Sequence, residues 1–341
     1  MTLSLEKFNF LHFAGVFLVL KGIGFLVLYF TSIYTDFNPF FYSDNGQFLI
    51  GSYTIFDSNY GYSSYVKAVL FDNLHQFVVI SPVVSVVGYL ILIWTILNFK
   101  IGFNNKNVLI YVGLLALHPY LTIHDFKTQP NILLGYFLAF VILMYYKRHF
   151  IFAFLSIFVA LLFTIWRPSF GLMFFGVFIG LVFFEKRYVY LIPLLIVGFA
   201  TGFYSIEYSA RLNAAMQAYD NVNMGLNFDY ALQIARNVLF SLFAREKYLT
   251  VGFSVSNLRE LVVFISLVLL LTFHILSIYR FLWLSRNQKL YLVLLLSVGP
   301  LVVSWLSISH MRYLVPYIPI LILGWIYPVK VRRAILWSRS R

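Results

Sequence analysis

Four short stretches of the 341-residue sequence combine residue types that can do chemistry. The first is Phe40-Phe41-Tyr42-Ser43-Asp44-Asn45-Gly46-Gln47-Phe48. A carboxylate set among aromatic side chains is partly desolvated, which suits a general base that takes a proton from a hydroxyl. Ser-Asp-Asn-Gly is also good turn chemistry, so a turn or capping role is the plainer reading of Asp44. Asp36 and Asp57 flank it with weaker cases. The second stretch is His124-Asp125-Phe126-Lys127. Asp125 can share a site with Asp44, as a second base or as a ligand. Carboxylates with a histidine suit a divalent cation, whose ligands would be Asp44, Asp125 and His124. A solvated turn is the alternative.

The third stretch is Thr164-Ile165-Trp166-Arg167-Pro168-Ser169. The planar fork of an arginine matches phosphate oxygens, and a proline beside it can open the following helix. The other reading is a helix-end arginine whose stem lies along the apolar surface. The fourth is Ser309-His310-Met311-Arg312-Tyr313-Leu314-Val315-Pro316-Tyr317-Ile318-Pro319. Here a His and an Arg precede two prolines, which can leave backbone groups facing a cavity. Arg211, Arg236, Arg245 and Arg259 can join an anion site, or each can be a solvated or headgroup-contacting residue. His118 precedes Pro119 inside an apolar run and reads as a packed polar residue that needs a partner. Lys21 either pairs with a buried carboxylate or reaches toward a headgroup.

The elements that must position these residues are apolar runs. Hydrophobic residues make up 61% of the chain and charged residues 11%, against about 25% charged in soluble domains. The mean hydropathy is +0.85. These values predict an all-α integral membrane protein, a single polytopic domain over 1–341. Runs at 11–31, 77–98, 107–123, 131–146, 150–166, 170–184, 188–205, 260–279, 290–308 and 312–328 predict ten transmembrane helices. The first is read as a retained span, because no small-residue cleavage site follows it.

Charge sets the orientation. With the N-terminus cytoplasmic, the inside segments hold 15 of the 25 basic residues and only two acids, Glu6 and Glu185. The C-terminus is then cytoplasmic too, with a basic tail at 329–341 that can touch anionic lipid. Two loops on the outer side are long, 32–76 and 206–259. Apolar residues at helical spacing within 62–74 and 227–242 predict helices lying in the membrane interface. The net charge of +13 is dispersed over the short inside loops, so it indicates a lipid bilayer and no nucleic acid as partner. Cysteine is absent, which excludes disulfides, thiolate zinc sites and thiol catalysis. No nucleotide-binding glycine pattern, zinc-protease motif or serine-hydrolase motif is present.

Taken together, Asp44 after the first span, Asp125 after the third, Thr164-x-x-Arg167-Pro168-Ser169 after the fifth and Arg312-Tyr313-x-x-Pro316-x-x-Pro319 at the last are familiar in order. The chain resembles the C-type membrane glycosyltransferases, which use polyprenyl-linked sugar donors at the outer face. The mid-chain outer loop and the ten spans are also similar to the polymerases that join lipid-linked repeat units of O-antigen or capsule. The resemblance implies a bacterial inner-membrane enzyme with a periplasmic active face. It implies that Arg167 and Arg312, with Lys127, His310 and Arg211, hold a polyprenyl phosphate or pyrophosphate. Asp44 would then deprotonate a glycan acceptor, with Asp125 as the second candidate carboxylate. The competing expectation is a transporter or flippase of lipid-linked glycans, which would place polar groups at membrane depth and break helices there.

Overall fold

In a computed structural model of the chain, the described residues are 9–34, 74–101, 105–125, 130–166, 168–202, 269, 272–280, 289–298 and 315–326. Their regular structure is all helical, with no strand among them. In chain order the helices are α1 (Phe10–Tyr34), α2 (Leu74–Asn98), α3 (Asn105–Leu117), α4 (Pro119–Asp125), α5 (Leu134–Tyr146), α6 (Ile151–Trp166) and α7 (Pro168–Phe183). They are followed by α8 (Tyr188–Gly202), α9 (272–280), α10 (Lys289–Val298) and α11 (Ile318–Leu323). Single 3-10 turns stand at Pro130–Leu133 and Val315–Tyr317, and α8 opens with one at Tyr188–Tyr190.

Each apolar run of the sequence holds a helix among the described residues. Two of the helices are long and apolar enough to cross a membrane, Phe10–Phe30 and Ile80–Asn98, each with a mean hydropathy of 2.2. The segments expected to form interfacial helices, 62–74 and 227–242, lie outside the described residues but for Leu74, where α2 begins.

The third run departs from expectation. It is two helices broken at His118, because a proline at 119 disfavours helical backbone in the residue before it. Its end is also longer than the run 107–123 suggested. The helix continues through Asp125, which is fully buried, where a solvated outer turn was the plainer expectation.

Large apolar side chains stand on the outside of some helices as well as in the core. On α6 the small residues Ala153, Ser156, Ala160 and Thr164 are buried, while Phe154, Phe158 and Leu162 are exposed. Phe158 is 67% and Leu162 66% exposed, and Phe199 on α8 reaches 81%. Inside, Phe170, Phe174, Val177, Phe178 and Leu181 of α7 recur at the spacing of one helix face and are buried.

Glycines set the closest helix crossings. A Cβ on Gly176 of α7 would overlap the carbonyl of Leu296 on α10, so only glycine fits. Gly135 of α5 likewise lies against the backbone of Gly88 on α2. Small residues that admit such backbone approach are the usual device where packing, rather than water exclusion, joins helices. Gly88 also leaves room for the Tyr136 ring, whose hydroxyl donates to the Val84 carbonyl at 3.1 Å.

Helix ends collect the basic residues. Lys100 closes α2 with a positive φ of 50°, and Ile101 N–H reaches back to the Ile96 carbonyl at 3.0 Å. This is a left-handed closure of the kind glycine usually makes. Phe99 stacks on Tyr146 at 4.8 Å, with the Lys147 ammonium 5.9 Å from the Phe99 ring. At the same end, Glu185 meets Arg187, Lys289 and Arg148 at 3.5, 3.6 and 3.7 Å. Arg187 Nη1 donates to the Met144 carbonyl at 2.9 Å, and Nη2 donates to that of Tyr145 at 2.5 Å. Three of the segments expected to share the cytoplasmic face are therefore joined directly around Glu185.

A candidate functional site in a buried polar seam

α4 is seven residues long and lies against α1, α2, α3 and the 3-10 turns Pro130–Leu133 and Val315–Tyr317. A two-turn helix has no stability of its own, so its contacts must hold it. One of these is an ion pair. Lys21 Nζ stands 2.6 Å from Asp125 Oδ2, and both side chains are buried, at 1% and 0% exposure. Ser85 Oγ donates to the other oxygen, Asp125 Oδ1, at 2.5 Å. Lys21 also donates to Thr122 Oγ1 at 3.2 Å, and Thr122 in turn donates to the His118 carbonyl at 3.1 Å. The rings of Phe25 and Tyr89 lie 5.4 and 5.8 Å from the ammonium.

The ammonium is thus enclosed by a carboxylate, a hydroxyl and two aromatic rings. Lys21 sits about 16 Å along α1 from Phe10, at roughly 1.5 Å per residue. Of the two readings open from the sequence, the buried partner is the one observed.

A second polar pair marks the helix break. His118 and His274, on α9, are both buried, and their Nε2 atoms are 3.1 Å apart. The Tyr120 and Phe273 rings enclose His118 at 5.6 and 5.8 Å. Neither Nδ1 has a hydrogen-bond partner among the described residues. The break between α3 and α4 is therefore pinned on one side by α9 and on the other by α1 and α2.

Of the third and fourth motif pieces, some residues are described. α4 packs against Val315–Tyr317, three residues beyond Arg312. That turn is itself fixed by the Tyr317 hydroxyl, which donates to the Val298 carbonyl at 2.6 Å. Pro168 is the first residue of α7, where its missing N–H costs nothing. Thr164 donates to the Ala160 carbonyl at 2.6 Å, and Thr201 donates to that of Val197 at 2.5 Å. Both hydroxyls crowd Gly171, so a side chain there would collide with them. The ends of α6 and α8 thus close around Gly171, near the start of α7.

Asp44, Lys127, Arg167, Arg211, His310 and Arg312 lie outside the described residues, as does the side chain of His124. Of the candidate carboxylates, Asp125 is therefore the one whose surroundings are seen. Its oxygens face a hydroxyl and an ammonium, an arrangement that leaves no place for a cation at the Lys21 position. No group of three His, Cys, Asp or Glu that could hold a metal ion occurs among the described residues.

Sequence reasoning missed Ser85, Thr122 and His274 as parts of one seam. Hydroxyls and a histidine within apolar runs were the available signal, but nothing in sequence order shows that they meet.

The chain matches no family model, no curated protein and no solved structure.

Proposed function

We propose that the chain is an integral membrane glycosyltransferase of a bacterial inner membrane, working at the extracytoplasmic face. It would transfer a sugar or oligosaccharide from a polyprenyl phosphate or pyrophosphate during surface polysaccharide assembly. The observation that carries this reading is the packing of α4 against Val315–Tyr317. It brings the segment ending in Asp125 against Val315–Tyr317, and so joins described residues of two of the four motif pieces that lie far apart in the sequence. The large apolar side chains on the outside of α6 and α8 support a bilayer setting.

In this reading Asp44 takes the proton from the acceptor hydroxyl, and Arg167 and Arg312, with Lys127, His310 and Arg211, hold the departing phosphate. One base and one leaving group need no covalent intermediate, so the anomeric centre inverts. Stabilising the charge on the departing phosphate does most to lower the barrier, and each arginine contributes on the order of 2–4 kcal/mol to it. The test is the gel profile of lipid-linked and surface polysaccharide in cells lacking the gene. Single-repeat chains in place of a ladder mean a polymerase. A glycan short by one sugar with its length distribution intact means a single-sugar transferase. An unchanged profile contradicts both.

A second reading, transport of lipid-linked glycans, is favoured by the Lys21–Asp125 pair at depth and the helix break at His118. Its mark would be full-length lipid-linked glycan trapped on the cytoplasmic leaflet when the gene is lost.

A further inference from the structure

We propose that the buried polar seam is a proton path, in which His118 and His274 relay a proton and Asp125 binds it beside Lys21. The ligand is a proton carried by internal water. This role stands apart from the glycan-transfer reading and needs no glycan.

The seam is rich in buried polar atoms that the protein leaves open. Asp125 Oδ2 lies 2.6 Å from the Lys21 ammonium, yet at an angle that makes no hydrogen bond, and it has no hydrogen-bond partner among the described residues. The same holds for the hydroxyls of Tyr89 and Tyr120 and for Nδ1 of His118 and of His274. All five side chains are buried, Tyr120 being the most exposed at 5%. Buried polar atoms find their partners in protein or in internal water. Phenylalanine would fill the two tyrosine positions without that need.

These open groups lie together. The Tyr89 ring is 5.8 Å from the Lys21 ammonium, and Ser85, one turn before Tyr89 on α2, donates to Asp125 Oδ1 at 2.5 Å. The Tyr120 ring is 5.6 Å from that of His118 and 5.8 Å from that of His274. From His118 to Asp125 the chain rises roughly 10 Å along α4, a gap that a few water molecules span. The titratable groups facing the path are Lys21 from α1, Tyr89 from α2, Tyr120 from α4 and Tyr111 of α3, which interacts electrostatically with Tyr89. The Lys21 ammonium repels a metal cation, so the path suits protons and not alkali ions.

The histidine pair has the geometry of a relay. Its Nε2 atoms are 3.1 Å apart, so one proton bridges them. One ring carries that proton on Nε2 and has a bare Nδ1, while its partner carries a proton on Nδ1. A proton arriving at the bare Nδ1 makes the first ring a cation. The bridging proton then crosses to the partner's Nε2, and the partner releases its Nδ1 proton to water. One proton enters, one leaves, and both rings end neutral with their tautomers exchanged. This sequence needs both Nδ1 atoms open, as they are. A histidine fixed for structure alone commonly ties its Nδ1–H to a carbonyl or a carboxylate. Asp125 takes the passing proton on the open lone pair of Oδ2 and gives it up again to water, with Lys21 charged throughout.

The experiment places the purified full chain in liposomes that enclose the pH-sensitive dye pyranine, with a voltage set by a potassium gradient and valinomycin. Vesicles with the protein are expected to change internal pH faster than protein-free vesicles, and equally with sodium or choline outside. His274→Leu lowers the protein-dependent rate on the order of 10²-fold, the scale of a lost proton-transfer group. Lys21→Met with Asp125→Asn, which removes both charges at similar volume, also lowers it. Tyr89→Phe with Tyr120→Phe keeps both rings and removes only the open hydroxyls, so it lowers the rate several-fold at an unchanged melting temperature.

A rate no faster than that of protein-free vesicles would overturn the proposal. So would a rate that follows sodium, or one that His274→Leu or the Lys21–Asp125 double variant leaves unchanged. If those two variants fail to accumulate, the tyrosine double variant decides, and an unchanged rate from it overturns the path. The polysaccharide of the deletion strain tests glycan transfer separately and does not bear on this result.

Discussion

The Nε2 atoms of His118 and His274 face each other at 3.1 Å, with the two rings inclined by 17°. At that distance one ring donates and the other accepts, so the two imidazoles hold opposite roles. Replacing either one by Leu strands a buried nitrogen and costs about 1–3 kcal/mol. The double replacement costs less than the two single ones added. Melting of the purified protein and its three variants in lipid nanodiscs checks this. Additive losses would mean that the two rings are not coupled.

Helix crossings give a ranked prediction. At Gly176 a methyl group collides with the Leu296 carbonyl, which is backbone and cannot move aside. At Gly180 the nearest atoms are those of Val293, at 3.1 Å, where a shift of a few tenths of an ångström suffices. Gly176→Ala is expected to cost about 3 kcal/mol or more. Gly180→Ala costs less, because alanine returns up to about 1 kcal/mol of helix propensity. Equal melting temperatures for the two variants would count against the α7–α10 contact.

Much of the helical framework was legible in the sequence, because apolar runs bounded by charge state their own limits. α2 begins at Leu74 and ends at Asn98, against an expected 77–98. Pro119 was visible as well, but a proline does not say whether a helix bends or breaks, and His118 needed its distant partner to show which. What the sequence could not show is pairing at long range. Lys21 and Thr122 are 101 residues apart, and His118 and His274 are 156 apart. Counting charges by loop placed Asp125 among the outer acids. Its carboxylate is instead turned inward, because an unpaired lysine within α1 would be far costlier than a paired one. Asp44, Arg167 and Arg312 rest on sequence alone.

Glu185 holds the opposite end of the bundle. Its side chain is 6% exposed and also accepts a hydrogen bond from the Tyr145 hydroxyl at 3.3 Å. Glu185→Gln is expected to destabilise by about 1–3 kcal/mol, since a buried hydrogen-bonded charge is lost beside Arg187. Arg148 is 78% exposed, and its removal should change stability by less than about 0.5 kcal/mol because solvent screens such pairs. Chemical denaturation of both variants tests the order, and a larger loss for Arg148→Ala would contradict it.

Orientation can be read directly, because the chain has no cysteine. Lys186→Cys and Lys289→Cys are expected to react with a membrane-impermeant maleimide only in inverted vesicles. Ser58→Cys and Ser209→Cys, in the two long loops, are expected to react in intact spheroplasts. Labelling of Lys186→Cys from outside would reverse the assignment of faces.

The central claim is that an outer-face base and a phosphate-holding arginine perform glycan transfer. Its most direct test restores the gene to a deletion strain as Asp44→Asn and as Arg167→Ala, at membrane levels equal to those of the unmodified protein. The account predicts that neither variant restores the surface polysaccharide, with any residual transfer for Arg167→Ala reduced by roughly 10²–10³. A normal polysaccharide ladder from both variants would contradict it.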